Sequence, residues 1–317
     1  MPPRLVLGSL ALGLTTALTL TGCGSGTSTA QASTTPTPGG GELSIVTSTT
    51  VYGSIAHSIA GDAATVTSVI SDPSADPHSY EASTRTQLEL SRADLVIENG
   101  GGYDDFMQTM LSTLDSQATV LNAVELSGRT ASAGAEVNEH VWYDVATVRI
   151  LADAIERALA TASPDDAATF EANAATFDAG LDALQQKITG DAATTKGQRV
   201  AITEPVPGYL LDALGAVNAT PEEFSAAIEE DSDVPVDVLQ ETLALFDAGP
   251  DQRVRALVYN EQTTGPQTER VLKAAKDNGI AVVPVTETLP QGPDGKDEDY
   301  TTWMTHNVDA IAAALRA

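Results

Sequence analysis

The sequence predicts an α/β protein with mostly parallel sheet and helices on both faces. Three observations lead to this prediction. Short, β-branched and mostly apolar runs alternate with helical patterns, as in parallel sheets that are covered on both sides. A long stretch of helix-forming residues separates two such α/β halves, and residues 24–41 have a composition that cannot bury a core.

The N-terminus has the features of a targeting segment. Arg4 is followed by the apolar run LVLGSLALGLTTALTL, which is too short and too rich in Gly, Ser and Thr for a membrane span of ~20 apolar residues. The run ends in LTGC, which resembles the lipobox of bacterial lipoproteins. We therefore expect residues 1–22 to be a signal peptide and Cys23, the single cysteine of the chain, to carry the lipid.

Residues 23–41 consist almost entirely of Gly, Ser, Thr, Pro and Ala. They show no apolar periodicity, so they cannot bury a core. This segment is predicted to be a flexible tether.

The chain is strongly acidic. It has 44 acidic residues against 16 basic ones, for a formal charge of −28. Nucleic acids and anionic lipid surfaces both require a basic face, so this balance argues against either as a partner. The charge favours solubility outside the cell and leaves a cation site open as a possibility.

The α/β pattern can be followed element by element. Strands are predicted at 65–70, 94–99, 119–123, 199–203, 254–260 and 281–286. Helical patterns lie between them at 86–93, 235–246 and 268–279, and the last of these ends at a glycine stop signal.

The segment from residue 144 to residue 189 interrupts this alternation. It consists mostly of helix formers, and Ser163 followed by Pro164 is a helix start signal. A helix from Pro164 to about Ile188 would be about 37 Å long. Such a helix suits a rigid connector between two halves, although two ordinary packed helices of one domain are the open alternative.

Two of the four histidines are candidates for chemistry. His57 and His306 lie in helical patterns without nearby ligand partners and are expected to be surface or packing residues. His78 follows a proline that restricts the backbone, and His140 precedes aromatic residues and Asp144, a good helix N-cap. A loop histidine alone is more often a hydrogen-bonding residue than a ligand.

Two glutamates stand at the ends of predicted strands. Glu204 follows strand 199–203, and Glu287 follows strand 281–286. Ligands of open parallel sheets bind at the carboxyl ends of strands, so both carboxylates could point into one crevice, where a cation would offset the cost of their burial. Glu261 also follows a predicted strand and is a competing candidate for a ligand. No short-range metal motif is present, so spacing alone leaves the metal site undecided.

Four stretches, in this order and at these separations, carry a family resemblance: DPHSYEAST, NEHVWYDV, TEPVPGYLL and VTETLP. They resemble the manganese- and zinc-binding group of solute-binding proteins of ABC transporters. The resemblance covers nearly the whole chain after the tether. It implies two α/β lobes joined by one long rigid helix, with the ion in the cleft between the lobes.

Matched position by position, the resemblance implies the metal ligands His78, His140, Glu204 and Glu287, with at most a supporting role for Glu261. The sequence departs from zinc-type members, which commonly have histidine at the third position and a His-rich loop before the second ligand. The fourth position is commonly aspartate, and here it is glutamate. These oxygen ligands favour manganese over zinc relative to zinc-type members.

The resemblance also implies a division of the chain and a set of partners. We expect an N-terminal lobe at 42–163, a connecting helix at 164–190 and a C-terminal lobe at 191–317. The expected partners of the monomeric protein are a permease and its ATPase subunit, since the chain has no P-loop. Contact with the membrane is expected through the lipid anchor only, at the extracytoplasmic face.

Two other functions compete with metal delivery. A secreted metallohydrolase would need an open zinc position and a general base, and the sequence has no HExxH motif and no separate candidate base. We therefore expect no enzymatic activity. A surface adhesion lipoprotein is the second alternative, and no feature of the sequence separates that role from uptake.

Overall fold

Two parallel sheets with the same strand order form the framework of the computed structural model. It describes residues 42–317 except 74, 76, 81–82, 131–136, 250 and 293–296. The first sheet has the order β2-β1-β3-β4, with β1 (Leu43–Thr49), β2 (Ala64–Ile70), β3 (Leu95–Glu98) and β4 (Thr119–Asn122). The second has the order β6-β5-β7-β8, with β5 (Arg199–Ile202), β6 (Val217–Asn218), β7 (Ala256–Asn260) and β8 (Ala281–Val285).

Helices connect the strands and cover the sheets, so the predicted α/β class is confirmed. They are α1 (Thr50–Ala60), α2 (Thr84–Leu90), α3 (Asp105–Leu111), α4 (Ala123–Ser127), α5 (Val145–Ala162), α6 (Ala167–Thr195), α7 (Gly208–Ala213), α8 (Glu222–Glu229), α9 (Val236–Ala244), α10 (Pro266–Asp277) and α11 (Tyr300–Arg316). Asp144 caps α5 as predicted, because its carboxylate accepts a hydrogen bond from the Ala146 N–H at 3.3 Å.

The long central helix is present, and it continues beyond the predicted end. A 3-10 turn at Pro164–Asp166 leads into α6, which ends at Thr195 rather than near Ile188. Gly190 lies inside the helix, where glycine costs only about 1 kcal/mol relative to alanine and does not force an end. The Thr195 hydroxyl is 2.7 Å from the Leu214 carbonyl oxygen, which ties the helix end to the second half.

A central apolar core joins the two sheets. Ile45 of β1 and Val258 of β7 belong to the same buried cluster as Phe170 and Leu184 of α6. The next residue along β1, Val46, faces a smaller cluster on the other side of its sheet. Because successive strand residues point to opposite faces, each sheet contributes one face to the central core and the other to an outer core.

The targeting predictions lie outside the described residues. These are the signal peptide at 1–22, the lipid attachment at Cys23 and the tether at 23–41. Within the described part of the chain, no helix combines the length and the apolar character needed to cross a membrane.

Candidate metal centre

Three polar side chains meet at the carboxyl edge of the second sheet. Glu204 lies two residues beyond the end of β5, Asn260 is the last residue of β7, and Glu287 lies two residues beyond the end of β8. The strand order reverses between β5 and β7, and such a switch point is where open α/β sheets form a crevice. All three side chains are buried, with exposures of 2%, 1% and 1%.

Asn260 holds the two carboxylates together. Its Nδ2 donates one hydrogen bond to Glu287 Oε1 at 2.7 Å and another to Glu204 Oε2. The Asn260 backbone N–H donates to the Thr203 hydroxyl at 2.9 Å, which fixes the end of β7 against the residue before Glu204. One neutral amide therefore aligns two acidic side chains from different strands.

Burial makes ionised Glu204 costly. Burial is the main cause that raises the pKa of Glu204; the hydrogen bond from Asn260 opposes the rise, the nearby Glu287 and Glu229 carboxylates add to it, and together these effects bring the pKa to about 8. Glu204 Oε1 is buried and has no hydrogen-bond partner among the described residues. An acidic group in such a position is stabilised when a cation binds beside it.

His140 comes from the first half and is completely buried. Asn138 Oδ1 lies 2.8 Å from His140 Nδ1 and accepts the His140 backbone N–H at 3.0 Å. An oxygen acceptor at Nδ1 requires a proton there, so neutral His140 presents the lone pair of Nε2. Burial lowers the pKa of His140 to about 4, and His140 Nε2 has no hydrogen-bond partner in the described part of the chain.

His78 approaches the same point from the Pro77–Ser79 turn. Its ring packs edge-on against Tyr103 at a centroid distance of 5.0 Å, and its Nε2 is 3.9 Å from Glu287 Oε2. Burial alone would lower the pKa of His78, but Glu229, Glu287 and Glu139 outweigh that effect and raise the pKa to about 9. His78 is therefore held in its charged form by surrounding carboxylates.

Two further glutamates belong to this cluster. Glu229 Oε1 lies 3.0 Å from His78 Nε2 and 3.3 Å from His140 Nε2. One ligand atom from each of His78, Glu139, His140 and Glu229 lies within 4.8 Å of the others, an arrangement that can hold a metal ion. Burial, followed by repulsion from Glu229, raises the pKa of Glu139 to about 7.

Side-chain bridges fix the two halves around the cluster. Gln262 Nε2 donates to the Pro73 and Ala75 carbonyl oxygens at 2.9 and 3.1 Å, on the segment that leads to His78. Asn138 Nδ2 donates to the Pro205 carbonyl oxygen at 3.0 Å, directly after Glu204. The same amide that orients His140 thus links it to the turn that carries Glu204.

The structure brings His78 close to His140 and Glu287, and Asn260 joins Glu287 to Glu204. Glu261, the supporting candidate, has an exposed side chain, and its backbone N–H donates to the Val285 carbonyl oxygen at 3.2 Å. Its neighbours Asn260 and Gln262 make the contacts to the site instead. His57 and His306 are exposed on α1 and α11, as expected of surface residues.

Removing the Asn138 side chain should weaken metal binding without unfolding the protein. In Asn138→Ala, His140 loses the hydrogen-bond acceptor that sets its tautomer. Removing a residue that hydrogen-bonds a metal ligand in this way typically lowers metal affinity by about 10–100-fold. The measurement is a competition titration against a chelator. Asn173→Ala is the control, because Asn173 also donates to a backbone carbonyl (Ile59, 3.0 Å) but lies on α6. Equal affinities of Asn138→Ala and wild type would contradict the role of Asn138.

Comparison with known proteins agrees with this architecture. The manganese-binding lipoprotein MntA of Halalkalibacterium halodurans is 24% identical over 276 residues, covering 86% of this chain and 88% of the relative. The iron ABC transporter substrate-binding lipoprotein MtsA of Streptococcus pyogenes serotype M1 is 24% identical over 300 residues, covering 86% and 89%.

A solved structure shows the same fold. The periplasmic zinc-binding protein TroA of Treponema pallidum superposes with a TM-score of 0.72 at 22% identity, over 87% of this chain and all of that one. The family described as ZnuA, zinc-uptake complex component A periplasmic, matches residues 45–314. Because this match covers most of the sequence, the chain belongs to the ZnuA family of metal-binding periplasmic proteins.

Proposed function

We propose that this protein binds a divalent transition-metal ion, Mn²⁺ or Zn²⁺, outside the membrane and delivers it to an ABC permease. The ion is the cargo, and its ligands are His78, His140, Glu204 and Glu287. ATP hydrolysis belongs to the ATPase subunit that works with the permease. The names of MntA and MtsA, both binding proteins for metal ions, support this assignment.

The observation that carries the proposal is the convergence of buried ligand atoms from both halves. His140 Nε2 and Glu204 Oε1 are buried without a hydrogen-bond partner among the described residues. Buried polar atoms are nearly always paired, so unpaired ones require a specific reason. A cation between the two imidazoles and the acidic side chains would supply the missing partner and offset the buried negative charge.

The arrangement fits binding and release better than catalysis. Catalytic zinc keeps one coordination position open for water or substrate. Here at least four protein ligands from two halves would surround the ion, so no position is reserved for water or substrate. The family is one of transport proteins, and we infer that this chain has no enzymatic activity of its own.

The remaining parts of the chain are assigned from the sequence. We infer a signal peptide at 1–22, lipid attachment at Cys23 and a tether at 23–41, which would hold a monomer at the extracytoplasmic face. The lobes would then comprise 42–163 and 191–317, with the connecting helix predicted at 164–190. Anchoring near the membrane keeps the binding protein close to its permease and raises their effective concentration.

Titration of the protein with Mn²⁺ tests the proposal. One ion should bind per chain and release about two protons at pH 7, because metal ligands must be deprotonated. The protons would come from His78 and Glu204, whose pKa values of about 9 and 8 keep both protonated at pH 7. His140 contributes none, since its pKa of about 4 leaves it neutral.

The proton count is measured by calorimetry in buffers with different ionisation enthalpies. Glu204→Gln should lower the count by about one, because glutamine carries no titratable proton. Apparent affinity should rise with pH until both groups have lost their protons. Binding without proton release would contradict the ligand assignment, and failure to bind either Mn²⁺ or Zn²⁺ would contradict the function.

A further inference from the structure

The Glu229 carboxylate lies beside the Nε2 atoms of both His78 and His140, where it could bind the same metal ion as these two histidines. We propose that Glu229 is a fifth protein ligand and that it biases the site toward Mn²⁺ over Zn²⁺. This inference rests on the proposed function, and it adds a residue that the four-ligand assignment does not contain. Three observations carry it: the contacts of Glu229, the geometry of the helix end that presents it, and the composition of the resulting ligand set.

The contacts of Glu229 are those of a ligand group. Its Oε1 lies 3.0 Å from His78 Nε2 and 3.3 Å from His140 Nε2, so one oxygen faces both imidazole nitrogens. The side chain is only 10% exposed. One ligand atom of Glu229 lies within 4.8 Å of one from each of His78, Glu139 and His140. In the metal-free protein the charged His78 pairs with Glu229, and a metal ion that displaces the His78 proton would find both side chains within reach.

The end of α8 holds Glu229 in place. The Asp231 N–H donates to the Ile228 carbonyl oxygen at 3.1 Å, and the Ser232 N–H donates to the Ala227 carbonyl oxygen at 2.8 Å. This pair of bonds is the Schellman motif, which needs a left-handed residue after the helix. Asp231 takes that conformation with φ 47° and is the only described non-glycine residue with positive φ. Non-glycine residues in this region cluster at functional sites.

The ligand set with Glu229 differs from one that suits zinc. His78 and His140 would supply two nitrogens, while Glu204, Glu229 and Glu287 would supply at least three oxygens. Zinc is almost always bound by four ligands in a tetrahedron when the site is closed. Manganese favours oxygen ligands and octahedral geometry, so a fifth ligand from a carboxylate benefits Mn²⁺ more.

The test compares Mn²⁺ and Zn²⁺ affinities of wild type, Glu229→Gln and Glu229→Ala by competition titration. We expect Mn²⁺ affinity to fall at least about tenfold in Glu229→Ala and Zn²⁺ affinity to fall less than about threefold, because four ligands still satisfy zinc. Glu230→Gln is the matched control, since it removes one charge from the adjacent, exposed residue. X-ray absorption at the manganese edge should show one fewer oxygen neighbour in Glu229→Ala.

Three results would overturn the inference. Unchanged affinities in Glu229→Ala would mean that Glu229 does not contribute to binding. An equal loss for both metals in Glu229→Ala and Glu230→Gln would mean that Glu229 acts only through its charge. Tighter binding of both metals in the variants would mean that Glu229 is an internal partner of the histidines, which the ion must displace. If wild type binds both ions and the Glu229 variants bind them with unchanged affinity, the proposed function holds and only the role of Glu229 is wrong. If wild type binds neither, both fail.

Discussion

Replacing His140 with alanine is expected to abolish metal-dependent stabilisation of the protein. A ligand that binds only the folded state stabilises it by about 2.7 kcal/mol at a hundredfold excess over its Kd. Removing a residue that only hydrogen-bonds a metal ligand already lowers metal affinity by about 10–100-fold. Loss of a direct ligand should therefore lower the metal affinity by about a thousandfold. At the same metal concentration, the stabilisation would then fall below about 0.1 kcal/mol.

Thermal unfolding with and without Mn²⁺ measures this effect. For a chain of this size, the wild-type increase in Tm should be about 5 °C, and that of His140→Ala should be close to zero. His306→Ala is the control, because His306 is 62% exposed and lies on α11, away from the cluster. A full increase in Tm in His140→Ala would show that His140 is not a ligand.

Replacing Phe170 with alanine is expected to cause a large loss of stability without changing the metal site. Phe170 is fully buried near the start of α6 and belongs to the core shared by both sheets. Phe→Ala changes in cores cost about 3–5 kcal/mol, since they remove apolar burial and leave a cavity. That is a large part of the 5–15 kcal/mol that stabilises a typical protein.

Urea unfolding of the metal-free protein measures this loss. Glu171→Ala is the matched control, because the neighbouring Glu171 is exposed and surface changes usually stay within about 0.5 kcal/mol. The Mn²⁺ affinity of folded Phe170→Ala should equal that of wild type. A loss of stability below about 1 kcal/mol would mean that the core closes around the missing ring.

The strands whose residues are mostly apolar were predictable, and two others were not. The runs at β5, β7 and β8 are short and mostly apolar, so the sequence pattern identifies them as strands. β1 contains Thr47, Ser48 and Thr49, so its sequence has too many polar residues to be recognised as a buried strand. In the structure these three side chains are nevertheless buried. β6 consists of only two residues, both exposed, and it is defined by its pairing with β5. Tertiary contacts, rather than local pattern, form these two strands.

The site was predictable only where strand ends and loop motifs identify it. Glu204 and Glu287 follow recognisable strands, and His78 and His140 lie in distinctive loops. Glu229 has no comparable signal, because it ends an amphipathic helix beside Glu230 and resembles a surface residue. Its place depends on how α8 packs against the second sheet. The sequence pattern does not identify Asn138 and Asn260 either, because the role of an asparagine side chain is clear only when its hydrogen-bond partners are known.

The core that runs through α6 makes the two lobes one cooperative unit. Because apolar residues of both sheets and of α6 belong to one buried cluster, opening one lobe exposes apolar surface of the other. Neither lobe therefore has a complete core of its own, and the chain should unfold in a single transition. Binding energy from an ion in the cleft is then distributed over the whole chain, so the cargo protects the distant ends of both sheets from unfolding as well as the residues that touch it.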